Sequence, residues 1–394
     1  MIFYRARWLA AISIGLLFSA NSAFALDGAD LLRKLNNAIV AQLGDSIEAQ
    51  DVYIDGSTVV LKSVTYTRRG EVVISLGDVT MTGVTEQSGG YAVEKMFIPD
   101  VAIKQKDFSA SAAGLRVDGL EIPANATLSD VNSIFVFNAH VGPVSYLKQG
   151  QTLFTIASAD AVSMKRPDKR GIGSSFRIDG IVADLSRTEM PATYEAMKQL
   201  ELHRVRGSFS MKSSWELSTG KYDLTEYLFD LENIGKLNVQ FSFSGLTPAF
   251  YNTAEAVFSS MTGTEDDQDT KNAKNLLGLA FVQQLTLNSA QIRFDDASFT
   301  NRAFDYMSKL DHVTRARSAN SFAAEILAST AQLGIPDLQQ ALSTAVIEYF
   351  NNPKSLTISA TPANPVPMST VIEAANNAKR SIPQMIGLAI TSND

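Results

Sequence analysis

Few side chains in this sequence are spaced for chemistry, and the recurring ones are aspartates. Asp78, Asp100, Asp118, Asp160 and Asp179 return at near-regular intervals within stretches of alternating apolar residues. A stripe of such carboxylates could hold Ca²⁺, whose preference for hard oxygen requires neither histidine nor cysteine. The competing expectation, which we prefer, is that each aspartate accepts hydrogen bonds from backbone amides freed by an irregular strand. A second acidic run, "TEDDQDT" (264–270), lacks the glycine and spacing of a calcium loop and reads as a solvated loop. Any two acids could meet as a glycosidase pair, but no spacing selects one. His140, His203 and His312 lie far apart in different textures and read as packing or surface residues.

Nucleophile motifs fare no better. There is no G-x-S-x-G elbow, and Ser244 in "FSFSGL" sits in a strand pattern. Ser145–Lys148 and Ser218–Lys221 match S-x-x-K, but the companion motifs are missing and "STGK" reads as a hairpin turn. "GIGSSF" at 171 lacks the third glycine of a nucleotide fingerprint. Trp215 reads as a packing or interface anchor ahead of a sugar platform. The expectation is a protein with no enzymatic activity, no metal and no cofactor.

The elements that would carry these residues are mostly strands. "DGADLLRKLNNAIVAQLGD" places Leu31, Leu32, Leu35, Ile39 and Leu43 at helical spacing, with Asp30 as N-cap and Gly44 as stop. From Val52 to about Gly245 the texture is strand-like, punctuated by turn clusters such as "EQSGG", "LKQGQ", "PDKRG" and "STGKY". Within it the phrases "GDVTM", "PDVAI", "DGLEI", "HVGPV", "ADAVSM" and "DGIVA" repeat, with an apolar residue at 79, 101, 120, 141, 162 and 181. Such a period suggests one supersecondary unit reused, each a long strand and a reversal.

The phrase also carries a slip of parity. Val72, Ile74 and Leu76 alternate, then Gly77-Asp78 intervenes and Val79 and Met81 continue on the opposite parity. The slip recurs across Pro99-Asp100, Asp118-Gly119 and Asp179-Gly180. Because strand side chains repeat every two residues, an uncorrected slip would turn the apolar set to solvent. A bulge restores the face and bends the strand. We therefore expect bulges aligned across neighbouring strands, folding a meander of strands about 15 residues long into a trough. Its apolar wall, with Leu76, Val79, Met81, Ile98, Val101, Ile103, Leu120 and Ile122, must be covered by the protein's own helices or by an apolar ligand.

The C-terminal third reads differently. Thr247 and Pro248 open a helix, the polar stretch 262–275 reads as a linker or mobile loop, and "NLLGLAFVQQLTLNSAQIRF" passes from helix to strand. Helical patterns follow over 299–311, 318–333 and 336–351, then "KSLTISA" as a strand, "PMSTVIEAANNAK" as a helix and "MIGLAIT" as a last apolar segment. The expected fold class is α+β: a long-stranded, bent antiparallel meander with an N-terminal helix and a helical C-terminal region. The expected divisions are 1–25, 26–246 and 247–394.

Compartment follows from the start of the chain and from composition. Arg5 and Arg7, an apolar core to Phe18 and "AFA" at 23–25 read as a cleavable secretory signal peptide. The apolar core is short for a bilayer span. With no cysteine, disulfides, thiolate–metal sites and a lipidated cysteine are excluded. The net charge of −7 argues against nucleic acid as a partner, and the one basic run, "KRPDKR" at 165–170, reads as a loop tip. Together these point to the periplasm of a Gram-negative bacterium, with no membrane-spanning segment after cleavage.

With phrases such as "SLGDVTMTGV" and "GLRVDGLEIPA" in a cysteine-free chain behind a signal sequence, the stretch 50–245 resembles periplasmic AsmA-like and YdgA-like envelope proteins. That resemblance implies a folded β-sheet trough that handles lipid or supports the outer membrane. The cleavable signal and the large helical C-terminal region depart from AsmA-like proteins, which puts a bridge between two membranes in doubt. The resulting expectation is a soluble periplasmic protein holding an apolar ligand such as lipid, or an envelope protein partner, in its groove. The alternative is a scaffold whose groove is filled by its own helices.

Overall fold

A computed structural model describes residues 26–68, 72–126, 135–166, 170–186, 191–260 and 268–394. The expected signal peptide, the tip of "KRPDKR" and the start of "TEDDQDT" lie outside the described residues. Helix α1 (Gly28–Leu43) forms on its recurring apolar positions and ends at Gly44, whose φ of 70° suits a residue without a Cβ. Its N-cap is Asp27, not Asp30: the Asp27 carboxylate accepts from the Asp30 amide at 3.0 Å. Asp30 lies in the first turn and accepts hydrogen bonds from Lys34, Tyr91 and Arg33. Lys34 first, then Tyr91 and Arg33, hold its carboxyl down to about 2.

Strands β1 (Ser46–Glu48) and β2 (Asp51–Asp55) lie end to end along β3 (Thr58–Arg68), which pairs on its other side with β4 (Val72–Thr82). The short β5 (Thr85–Gln87) turns into a series of long strands, each broken once: β6 (Gly90–Ile98) with β7 (Val101–Lys104), β8 (Phe108–Ala112) with β9 (Leu115–Ile122), β10 (Phe135–Val141) with β11 (Val144–Lys148), and β12 (Gln151–Ile156) with β13 (Ser158–Lys165). Strand β14 (Gly171–Asp184) runs unbroken. The expected meander of long strands is thus present; the breaks at Pro99-Asp100 and Gly142-Pro143 fall within the repeated phrases, and those at 113–114 and Ala157 fall just before them.

These breaks form a line across the sheet. Gly77 packs toward Pro99, the Gly114 amide donates to Asp100 at 3.1 Å, and the Gly142 amide donates to the Ala113 carbonyl at 2.9 Å. The line continues through Ala157, whose amide donates to the Asp179 carbonyl at 2.9 Å. Two of its members are the expected bulges. Asp179 and Gly180 together oppose Ser208, and the β3–β4 register shifts on both sides of Val64↔Gly77. Gly77 and Gly180 adopt φ of 72° and 63° there.

Asp118-Gly119 is different and corrects the expectation. The register of β9 with β6 and with β10 is unchanged across it. Gly119, at φ 78°, lies in a row with Gly83, Glu94 and Phe137, and a Cβ on it would come within 2.9 Å of the Phe137 ring. Since Val93 and Met96 on β6 slip parity at the same level, no extra residue is needed. The sheet therefore carries two transverse lines of irregularity where one was expected.

After β14 comes α2 (Pro191–Gln199), a helix the strand-like texture did not anticipate. The meander resumes with β15 (Arg204–Glu216), β16 (Lys221–Leu231) and β17 (Gly235–Ser244). Helices α3 (Pro248–Ser260) and α4 (Gln268–Val282) then interrupt it before β18 (Thr286–Asp296) pairs back onto β17. One sheet thus runs through the boundary expected near 246. The remaining elements are α5 (Phe299–Leu310), α6 (Arg315–Ala331), α7 (Pro336–Asn351), β19 (Ser355–Ala360), β20 (Val366–Pro367), α8 (Met368–Asn377), α9 (Ile382–Met385) and the last strand β21 (Leu388–Ser392). Strands β19 and β21 extend the sheet beyond β18, and the antiparallel sheet does not close.

The principal core lies under α1. Leu31 and Leu35 pack with Val59, Leu61, Val79, Met81, Val93, Leu120 and Ile122 from the sheet, all buried.

Candidate functional site: an apolar sheet face ending in a pocket

One face of the sheet is apolar from end to end, and cross-strand pairing shows its continuity. Met81, Met96, Val117, Ala139, Ala161, Phe176, Met211 and Tyr227 face one another in sequence across eight strands. Two residues along, a second row runs Val141, Ala159, Ile178, Phe209, Phe229, Leu237, Phe294 and Leu356. A third row, Val239, Ile292, Ile358 and Ile390, lies beside the end of the second. The strand period of two generates these rows from alternating sequence alone.

The opposite face carries charges of alternating sign. His140 Nδ1 lies 2.6 Å from Asp160, Arg177 donates to Asp179 at 2.6 and 2.7 Å, and Lys62 donates to Asp78 at 2.8 Å. Arg116 lies 3.8 Å from Asp118. Each recurring aspartate thus has a cationic, imidazole or amide partner. Asp78 and Asp100 accept from amides at the line of breaks, as expected, and the other three pair with side chains. Lys62 first, then the Ser63 amide, hold the Asp78 carboxyl below its ordinary range. Among the described residues no group of three or more acidic or histidine side chains gathers at a point.

The second apolar row ends in a pocket of about 560 Å³, within the size range of small-molecule sites. Its floor is Phe229, Leu231, Leu237, Phe294 and Leu356 from the sheet. Its cover is Met197 on α2, Leu202 beyond it, Phe299 on α5 and Tyr349 on α7. Among the described residues, Thr300 and Tyr349 are the only polar side chains in the lining. Both are buried and spoken for. The Tyr349 hydroxyl lies 2.6 Å from Thr300 Oγ1 and 3.2 Å from Asp296 Oδ2. As the carboxylate can only accept, the phenol donates to Asp296 and accepts from Thr300. Burial, with Asp296 adding to it, pushes the Tyr349 phenol well above its ordinary range, so it stays a neutral donor.

One cation braces the rim. Arg302 on α5 donates to the Leu200 carbonyl at 2.6 Å and to the Asn233 carbonyl, tying the α2–β15 connection and the β16–β17 turn to one helix. The pocket opens along the sheet toward exposed apolar residues: Leu237 is 38% exposed, Ile358 40% and Ile292 50%.

The groove residues expected from sequence divide in two. Val79, Met81, Leu120 and Ile122 are core residues beneath α1, at most 4% exposed. Leu76 and Ile98 are partly buried against that core, and Val101 and Ile103 lie half-buried on β7, across the line of breaks. None of the eight lines the large apolar pocket. Its own residues span 185 to 356; the available signal was the alternation Phe229–Leu231, Leu237–Val239 and Ile292–Phe294. The remaining candidates sit in ordinary structural roles. His203 and His312 are exposed, "STGK" is the β15–β16 turn, and "GIGSSF" lies within β14. Trp215 Nε1 donates to the Leu246 carbonyl at 2.6 Å and its ring lies 6.2 Å from that of Tyr251.

A family model described as "Uncharacterized protein" matches residues 228–393. That segment holds the pocket wall from Phe229 onward and omits Leu185, Met197, Leu202 and Val205. No curated protein matches the chain. No helix among the described residues is long and apolar enough to cross a membrane.

Proposed function

We propose that this protein is a non-catalytic binding protein of the periplasm that holds an apolar ligand of the lipid class, with an acyl chain lying along the sheet and its end in the Phe229–Leu237–Phe294 pocket. The observation that carries the reading is the continuity of that pocket with the exposed apolar row. At about 4.8 Å between strands, Phe209 to Leu356 covers about 19 Å. An extended hydrocarbon suits such a slot, because its whole length can leave water against apolar side chains. The hydroxyls at the pocket already satisfy one another, so an apolar guest strands no polar group.

The test is native mass spectrometry of the secreted protein without detergent, together with displacement of an apolar fluorophore. A co-purifying lipid lost in Leu237→Glu supports the reading. A lipid-free protein that takes up no fluorophore refutes it. A second reading, an envelope scaffold or partner-binding protein with a self-filled groove, is favoured by one observation. At the N-terminal end, α1 already occupies the apolar face that four of the expected groove residues line.

A further inference from the structure

Strand β21 is the outermost strand at the C-terminal end of the sheet. It pairs with β19 on one side and, among the described residues, with no strand on the other. Its hydrogen-bond phase fixes what the free edge offers. The Asn393 amide donates to the Ser355 carbonyl at 2.8 Å, and the Thr361 amide donates to the Gly387 carbonyl at 3.2 Å. Register between these two points is unbroken. Gly387, Ala389, Thr391 and Asn393 therefore turn their backbone groups to β19, and Leu388, Ile390 and Ser392 turn theirs outward. An alternating set of outward N–H and C=O groups is a template for one more strand. The edge is also held in place, because Ser392 Oγ donates to Glu348 on α7 at 2.9 Å.

Sheet edges that must stay unpaired carry charge, proline or a bulge. The segment "LAITS" (388–392) has no proline and no charged side chain, and its pairing with β19 has no bulge. The opposite edge of the sheet, formed by β1 and β2, carries Glu48, Asp51 and Asp55. Asp394, just beyond β21, is tied to its own chain: its carboxylate accepts from Arg293 at 2.8 Å and from Thr391 at 2.8 Å. A second copy of the same strand fits this edge by symmetry. Antiparallel pairing about Ile390 sets Ile390 against its own copy and Leu388 against the partner's Ser392. Every outward residue then meets an outward residue, each pair exchanging two N–H···O bonds, and no like charges face each other. The pairing also carries the apolar face across the two-fold axis, because the row Val239, Ile292, Ile358 and Ile390 ends at this edge.

We propose that the protein forms a two-fold dimer in which β21 pairs with β21 of a second copy about Ile390, joining two sheets into one with a shared apolar face. The proposal rests on the backbone phase and the uncharged sequence of the edge, and it is independent of the lipid-class reading above.

Sedimentation equilibrium of the full secreted chain tests it, with a dimer expected at concentrations up to about 100 μM. Ile390→Pro removes the central outward N–H from both copies and leaves the bonds to β19 in place, so the dimer should weaken about ten-fold or more. Ala389→Asp, at an exposed position, brings two carboxylates onto the diagonal of the pairing and should also weaken the dimer, with an unchanged circular dichroism spectrum. The absence of cysteine lets introduced thiols read the register. Ala389 and the partner's Thr391 would form a non-hydrogen-bonded pair with Cα atoms about 4.5 Å apart, within disulfide reach. Diamide should therefore cross-link an equimolar mixture of Ala389→Cys and Thr391→Cys, and neither variant alone. A wild type that is monomeric at about 100 μM, a dimer that both edge variants leave intact, or single variants that cross-link as well as the mixture would each overturn the proposal. Fluorophore uptake keeps the two readings apart: Ala389→Asp should retain it, and Leu237→Glu should lose it while still dimerising.

Discussion

The two ends of the apolar sheet face are built from the same alternating pattern and finished in opposite ways. At the N-terminal end α1 lies on the strands, and Leu31, Val59, Leu61 and Met81 are at most 1% exposed. At the C-terminal end Met197 on α2, Phe299 on α5 and Tyr349 on α7 stand over the sheet, and about 560 Å³ stays open beneath them. Alternation says which face of a strand is apolar. Whether that face becomes core or site depends on how fully the side chains of the covering helices fill the space above it.

Substitutions at matched positions should expose this difference. The largest effect is expected at the sealed end. Leu31→Ala should cost about 3 kcal/mol by leaving a cavity, whereas Leu237→Ala at the open end should cost under about 1 kcal/mol. Denaturant midpoints check the pair, and similar losses at both ends would erase the contrast.

Next in size is the line of breaks that both ends share. Gly180→Val combines a φ of 63° with a Cβ placed 2.6 Å from the Ala157 Cβ, and should cost about 2 kcal/mol. Gly150→Ala, at φ 77° with open space around it, should cost about 1 kcal/mol. Equal costs would mean that Ala157 and Gly180 do not define a tight crossing.

At the open end, Tyr349→Phe removes the phenol that bridges Thr300 and Asp296. A loss of about 1 kcal/mol is expected, with uptake of an apolar fluorophore unchanged. A large fall in uptake would instead assign the hydroxyl to ligand recognition.

The smallest effect concerns acid and the seal. The Asp30 carboxyl titrates at about 2 in the folded protein and near 3.9 when unfolded. Its contribution is therefore complete above the unfolded value and lost as pH falls from about 4 through about 2. As a surface-linked group it should contribute about 1 kcal/mol or less. Protection factors of the α1 amides, taken relative to the intrinsic exchange rate at each pH, should fall as pH drops through that window in the wild type and show a flatter profile in Asp30→Asn.

Much of the fold was legible because its signals are local. Parity slips at Gly77-Asp78 and Asp179-Gly180 are bulges, Thr247 accepts from the Phe250 amide at 3.2 Å, and α5 and α7 start within a residue of their expected positions. Asp118-Gly119 misled because parity is a property of one strand, whereas a bulge is a relation between two. When neighbours slip at the same level, register is kept. Short α2 was hidden by its weak apolar pattern. The site was least legible. Leu185 and Leu356 are neighbours only because strands and helices far apart in the chain converge, and no spacing within a segment records that.

Photolabelling with a diazirine fatty acid tests the contrast between the two ends most directly. Adducts are expected on Leu237, Ile292, Phe294 and Ile358, with Val79, Met81, Leu120 and Ile122 unlabelled. Adducts concentrated on those four core residues, or no specific adducts at all, would contradict it.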